Sequence, residues 1–190
     1  MVNAFWLDRD LDQMARWLVD SHVLSSVFEN AMVLTTAVQL NGYAEGDPEV
    51  REDLYFTHPD HPLTQWAAAH PDNWAYLHDY AEAAHEEWRY RWEHPPEKVH
   101  GSWATVESLD LEVVRGLDWP GEPADPPQVT DGWQADDYVE AYRLYYANEK
   151  RDLYEWSKDR GAPPWLEEYR RDAPREDVTL DDAPTGTDPT

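Results

Sequence analysis

Residues 20–42 constrain the fold more than any other stretch. They run from Asp20-Ser21-His22, through Glu29 and the core-like Ala31-Met32-Val33-Leu34, to Asn41-Gly42. Asp20 is a suitable N-cap, and Asn41-Gly42 is a good helix stop, so the pattern predicts one helix over about 21–40. His22 and Glu29 are seven residues apart. That is two helical turns, about 10 Å along the axis, so both side chains leave the same face. Glu29 then sits at the edge of buried territory. There a carboxyl must be paired or have its pKa raised, and a raised carboxyl near a histidine suits acid–base chemistry.

The surrounding chain reads as further helices. Residues 2–7 are a short apolar lead-in, extended or strand-like. Asp8 or Asp10 caps a helix over 11–19, with Leu11, Met14, Trp17 and Leu18 facing inward. Residues 43–61 read as an ordered loop. Pro62 opens a turn through Ala69, and Pro71 at N1 starts a helix over 71–93. Spacings of three and four turn Trp74, Leu77, His78, Ala81, His85 and Trp88 inward. Ser102 or Thr105 begins a helix to Arg115. A loop rich in Pro, Gly and Asp covers 117–134, and Asp136 or Asp137 starts a helix over 136–159. Pro163-Pro164 stops that helix, and residues 165–169 form a last turn. Residues 172–190, nearly devoid of apolar side chains, are expected to be a disordered acidic tail. The expected architecture is therefore mainly α: a single multi-helix domain over 1–171 with long loops.

Composition removes several kinds of chemistry. There is no cysteine, which excludes disulfides and thiolate nucleophiles or ligands. No run of about 20 apolar residues suggests a membrane span. Charges at Asp8, Arg9, Asp10 and Asp12 break up any signal-like start. A cytoplasmic protein without a membrane partner is expected. The net charge is −25, with 40 acids against 15 bases, and only Lys98, Lys150 and Lys158 are lysines. Acids spread along the whole chain fit adaptation to high cytoplasmic salt. In ordinary salt such a charge opposes nucleic-acid binding. In molar salt the screening length falls to ~3 Å, and net charge loses most of its discriminating power. Eleven tryptophans and eleven tyrosines either fill the core or build a stacking surface.

Three further groups bear on function. The loop Thr57-His58-Pro59-Asp60-His61-Pro62, followed by Trp66, suits a pocket lining, a metal site or plain turn-making. Glu86, Glu87, Arg89 and Arg91 read best as a solvated or core-edge ion-pair group. Tyr138, Tyr142, Tyr145 and Tyr146, with Arg143, form a helical aromatic stripe, either core or contact surface. No phosphate loop, dinucleotide fingerprint, zinc-protease motif or Gly-x-Ser-x-Gly is present, and no cofactor is expected.

The run Asp20-x-His22-x6-Glu29 resembles the phage-type pyrimidine-dimer DNA glycosylase (endonuclease V) family. A short N-terminal lead precedes it, a His-containing loop follows, and then comes a long helix from Trp74 to Arg91. A Tyr-rich helix before Trp156 extends the likeness over roughly residues 2–165. The resemblance implies an all-α fold, DNA as partner, and an α-amino nucleophile exposed by Met1 removal, here on Val2. That amine attacks C1′ of a damaged nucleotide, forms an imine and permits β-elimination. An α-amino group titrates near ~8, so part of it is unprotonated at neutral pH. Glu29 would match the family's catalytic glutamate and His22 the histidine beside it. His58, His61, Trp66 and Asn3 would contact substrate, with no metal among the site residues. Phe28, Met32 and Asn3 stand where the family carries phosphate-binding arginines. Two other readings keep the helical fold: a non-enzymatic interaction protein, and a small-molecule or nucleotide-processing enzyme with a His-bound metal.

Overall fold

A computed structural model describes residues 4–43, 53–128 and 132–170. Its described residues form seven α-helices and no strand. They are α1 (Leu11–Trp17), α2 (Asp20–Leu40), α3 (Pro62–Ala69), α4 (Pro71–Arg91), α5 (Gly101–Glu107), α6 (Leu111–Arg115) and α7 (Tyr138–Glu149). A 3-10 turn at Arg151–Leu153 follows α7. The expected mainly α architecture is what the chain adopts. The expected tail at 172–190 lies outside the described residues.

Helix α2 is the centre of the domain. Val23, Val27, Ala31, Leu34 and Val38 form a fully buried stripe at spacings of four and three. It packs against α3, α4 and α5. Trp74 of α4 donates its indole N–H to the Leu34 carbonyl at 3.1 Å. By length and composition, α2 is long and apolar enough to cross a membrane, contrary to the sequence expectation, yet most of it is buried within this fold. Asn30, Thr35 and Thr36 are buried polar residues on the same helix. They donate to carbonyls one turn back, at Ser26, Ala31 and Met32, which leaves Asn30 Oδ1 buried without a hydrogen-bond partner among the described residues. The helix ends as expected, with Gly42 at φ 87°, in the left-handed region that glycine tolerates.

The aromatic residues largely fill the core. Residues Ala4 to Leu7 are buried, and Trp6 lies among the rings of Trp66, Tyr76, Tyr80 and Tyr142. The tyrosine stripe of α7 is mainly core, with Tyr142 and Tyr146 buried.

Several helix ends differ from expectation. Asp20 is not the N-cap of α2. Val19 occupies that position without a side-chain cap, and Asp20 is the first helical residue. Its carboxylate instead accepts from Arg91 Nη1 at 2.8 Å and from the Ser157 amide at 3.1 Å. Helix α1 stops at Trp17 rather than residue 19, with Asp10 as its cap. The helix expected up to Arg115 divides in two, because the Asp110 carboxylate takes the Glu112 and Val113 amides and starts α6. The helix expected to run to 159 ends at Glu149. Arg151 and Tyr154 side chains occupy the Ala147 and Tyr146 carbonyls of its last turn.

Histidine caps three helices. His61, His70 and His100 each accept, through Nδ1, the amide two residues ahead, opening α3, α4 and α5. Only an unprotonated Nδ1 can accept, so each cap requires neutral imidazole.

The Glu87–Arg91 pair expected at a core edge is buried inside a larger network. Arg91, whose side chain is 0% exposed, meets Glu87 at 2.7 Å and Asp20 at 2.8 Å. It also donates to the Ala15 and Arg16 carbonyls at the end of α1. Arg160 takes both oxygens of Glu87, through Nε at 2.7 Å to the Oε1 that Arg91 also binds and through Nη2 at 2.8 Å to Oε2. Two carboxylates and two guanidiniums balance, and Arg91 Nη2 goes to the two carbonyls. Removing one member leaves an uncompensated buried charge. Arg91→Met is expected to destabilise the fold by about 3–5 kcal/mol, measured by urea denaturation. Arg115→Met, at an exposed pair with Glu112, is expected to change stability by under ~1 kcal/mol.

Candidate functional site

The candidate site is built on one stripe of α2. His22, Ser26 and Glu29 follow one another at four and three residues, so their side chains share a face. The start of the described chain lies on this stripe. The Phe5 amide donates to the Tyr80 hydroxyl at 3.1 Å, and Ser26 Oγ lies 3.4 Å from the same hydroxyl. Burial pushes the Tyr80 hydroxyl up to about 12, and the charge of Glu29 acts on it in the same direction. Glu29 is half-buried.

His22 is buried beneath Phe5, with ring centroids 4.3 Å apart and planes 18° from parallel. Its Nδ1 lies 2.8 Å from the Tyr146 hydroxyl, which also accepts the Val19 amide at 2.9 Å. Accepting from Val19 leaves the tyrosine proton for His22 Nδ1. The imidazole is then neutral and carries its own proton on Nε2. Burial lowers its pKa to about 4, with the Lys150 charge adding to the effect.

The histidine loop lies along the same helix. Thr57 donates its amide to Thr36 Oγ1 at 3.0 Å, and the Gln39 side chain donates to the Tyr55 carbonyl at 2.7 Å. Thr36 is two turns beyond Glu29, about 10 Å along the axis. His58 adopts a left-handed φ of 52°, rare for a non-glycine residue, and its Nδ1 meets Thr57 Oγ1 at 2.7 Å. His61 is occupied at Nδ1 by its cap and keeps Nε2 available. Burial lowers the His61 pKa, followed by the neighbouring His58.

The remaining expected residues divide. Val2 and Asn3 lie outside the described residues. Trp66 is buried, with its ring against Trp6 and its indole N–H on the Ala124 carbonyl at 2.9 Å. It lines a separate open groove of about 520 Å³ with Asp72, Tyr76, Asp125 and Tyr138.

Sequence reasoning missed three contributors. Tyr80 joins the chain start to α2, yet among the inward residues of α4 nothing marks its hydroxyl as special. Phe28 and Phe56 are 43% and 58% exposed, and Phe28 meets Tyr55 edge-on at 5.8 Å. They place large apolar rings in solvent, one of them beside Glu29 in the chain. The signal available was that Phe28 occupies an otherwise charged position of the resembling pattern.

Comparison with protein-family models, curated proteins and solved structures yields no match to this chain.

The buried histidines set a pH limit on the scaffold. His85, buried between Trp88 and Trp103, is also lowered to about 4, by burial first and then by Arg89 and His100. The unfolded chain takes up these protons near 6.5, whereas the folded chain resists them until about 4. Stability is therefore complete above pH 6.5 and is lost as pH falls towards 4, by roughly 3 kcal/mol per histidine. Urea denaturation from pH 7.5 to 4.5 is expected to show this fall. His85→Gln, which takes up no proton on unfolding, is expected to flatten the slope.

Proposed function

We propose that the protein is a base-excision enzyme of the pyrimidine-dimer glycosylase and abasic-site lyase type. Its nucleophile is the α-amine of Val2, and Glu29 is its charge-stabilising, proton-moving group. The observation that carries this reading is the bond between the Phe5 amide and the Tyr80 hydroxyl, beside Ser26 and under the charge of Glu29. Three residues separate the Val2 and Phe5 nitrogens. That length of chain reaches at most about 11 Å, so covalent connection keeps the amine within that distance of the Phe5 nitrogen.

In this reading Val2 attacks C1′ and forms an imine with the sugar, expelling the base from a damaged nucleotide or water from the aldehyde of an abasic one. Glu29 stabilises the iminium and accepts the proton whose removal drives β-elimination. His22 acts as a positioning residue: as a neutral, buried ring it holds Phe5, and with it the start of the chain. His58 and His61 follow Thr57, which is bonded to Thr36 two turns along from Glu29, and His61 Nε2 is available to substrate. Phe28, which stands where the resembling family has a phosphate-binding cation, supplies exposed stacking surface together with Phe56. Aromatic stacking on an extruded nucleotide suits a strongly acidic chain, because it does not depend on counterion release.

Borohydride trapping with abasic-site DNA in molar KCl tests the chemistry. A covalent protein–DNA adduct is expected, with mass spectrometry placing it on the Val2 amine. Glu29→Gln is expected to slow strand cleavage by roughly 100-fold or more while leaving the fold intact. No adduct from protein whose Met1 has been removed would sink the imine mechanism.

A further inference from the structure

A second cluster lies on α4, outside the site above. Among the described residues, His78, Asp79 and Glu82 each offer one ligand atom, all within 4.8 Å of one another. His78 and Glu82 are an i,i+4 pair and so share a face of the helix. Asp79 reaches the same point from the next position. Its Oδ1 lies 3.4 Å from His78 Nδ1, longer than the usual hydrogen-bond range. A tetrahedral ion with ligands at about 2.1 Å separates them by about 3.4 Å, the spacing seen between these two atoms.

The imidazole is held in place before any ion arrives. The His78 ring stacks on Trp74 with centroids 5.3 Å apart, and Trp103 lies against it at 5.1 Å. Packing of this kind lowers the ordering cost of a ligand side chain. The two carboxylates are solvent-exposed, so an ion can reach them directly. His78 and Asp79 also line a cavity of about 220 Å³, with Trp74, Leu111, Val114 and Arg115 among its walls. Three protein ligands beside a cavity leave a coordination position for water or a small anion, as in open zinc sites.

We propose that His78, Asp79 and Glu82 form a site for one divalent transition-metal ion, with Zn²⁺ as the matching ion. One imidazole and two carboxylates suit Zn²⁺, and their two negative charges neutralise it. The site is independent of the α2 stripe and takes no part in the imine chemistry.

Equilibrium dialysis of the full chain with Zn²⁺, in molar KCl after chelator treatment, tests the assignment. High salt displaces loosely held counterions and leaves inner-sphere binding. One Zn²⁺ per chain is expected. Glu82→Gln and His78→Ala are each expected to weaken it by about 10-fold or more. The exposed Glu82 keeps the test valid if the packed His78 variant fails to fold. His58→Ala/His61→Ala is expected to bind as the wild type does. Co²⁺ substitution is expected to give the intense visible bands of a four-coordinate site, and Glu82→Gln to weaken them. Binding that vanishes in molar KCl overturns the proposal, as does unchanged binding by Glu82→Gln.

Discussion

The fold depends on the placement of one buried guanidinium. Arg91 closes α4, bonds the last carbonyls of α1, and meets Asp20 at the first turn of α2. Glu87 and Arg160 complete the charge balance and bring in the chain beyond α7. The start of α2 is therefore fixed by a charge pair instead of by a side-chain cap. That choice carries through to the candidate site. Asp20 is held by Arg91 and Ser157, while the preceding residue, Val19, gives its amide to Tyr146, and Tyr146 in turn orients His22. His22 then supports Phe5, whose amide reaches Tyr80 beside Ser26. A buried ion pair contributes little net stability when complete, but its geometry is unforgiving when a member is lost. In this chain the network serves mainly to fix where α2 begins.

The aromatic richness has a related role. Tyrosine and tryptophan bury as much area as leucine or more, and each also carries a polar atom that needs a partner. Three of those atoms reach across elements, Trp74 to the Leu34 carbonyl, Tyr142 to the Pro127 carbonyl and Trp156 to the Trp17 carbonyl, whereas the indole N–H groups of Trp6 and Trp165 are buried without a partner among the described residues. Such bonds tie extended segments, which have no helical hydrogen bonds of their own, to the helices they cover. The lead-in at residues 4–7 and the strap at 154–157 are held in this way. The lead-in covers His22 through Phe5, and the strap meets Asp20 at the start of the same helix.

Much of this was legible in the sequence. Asp10, Pro62, Pro71 and Asn41-Gly42 mark helix ends by local chemistry, and the structure places ends there. The errors arose where a distant residue took over a local role. Asp20 has cap chemistry, but Arg91, 71 residues away, claims its carboxylate. The end of α7 is set by Arg151 and Tyr154 competing for carbonyls, a contest that periodicity does not report. Histidine is not a usual cap, so the starts at His61, His70 and His100 carried no signal beyond the prolines after the first two. For the site, spacing alone put His22 and Glu29 on one face. The burial of His22 could not be read, because its cover, Phe5, arrives from 17 residues earlier, and its partner Tyr146 from the far end of the chain. The metal cluster was visible only as an inward histidine, since its two carboxylates looked like ordinary solvated charge.

The central claim is that the N-terminal amine and Glu29 share one site. Their coupling is measurable without any substrate. Titration of ¹⁵N-labelled Val2 amine by NMR, in wild type and in Glu29→Gln, reads the interaction directly. A nearby carboxylate favours the protonated amine, so removing its charge is expected to lower the amine pKa by about one unit. An identical titration in the two proteins would place the amine beyond the reach of Glu29 and contradict the account.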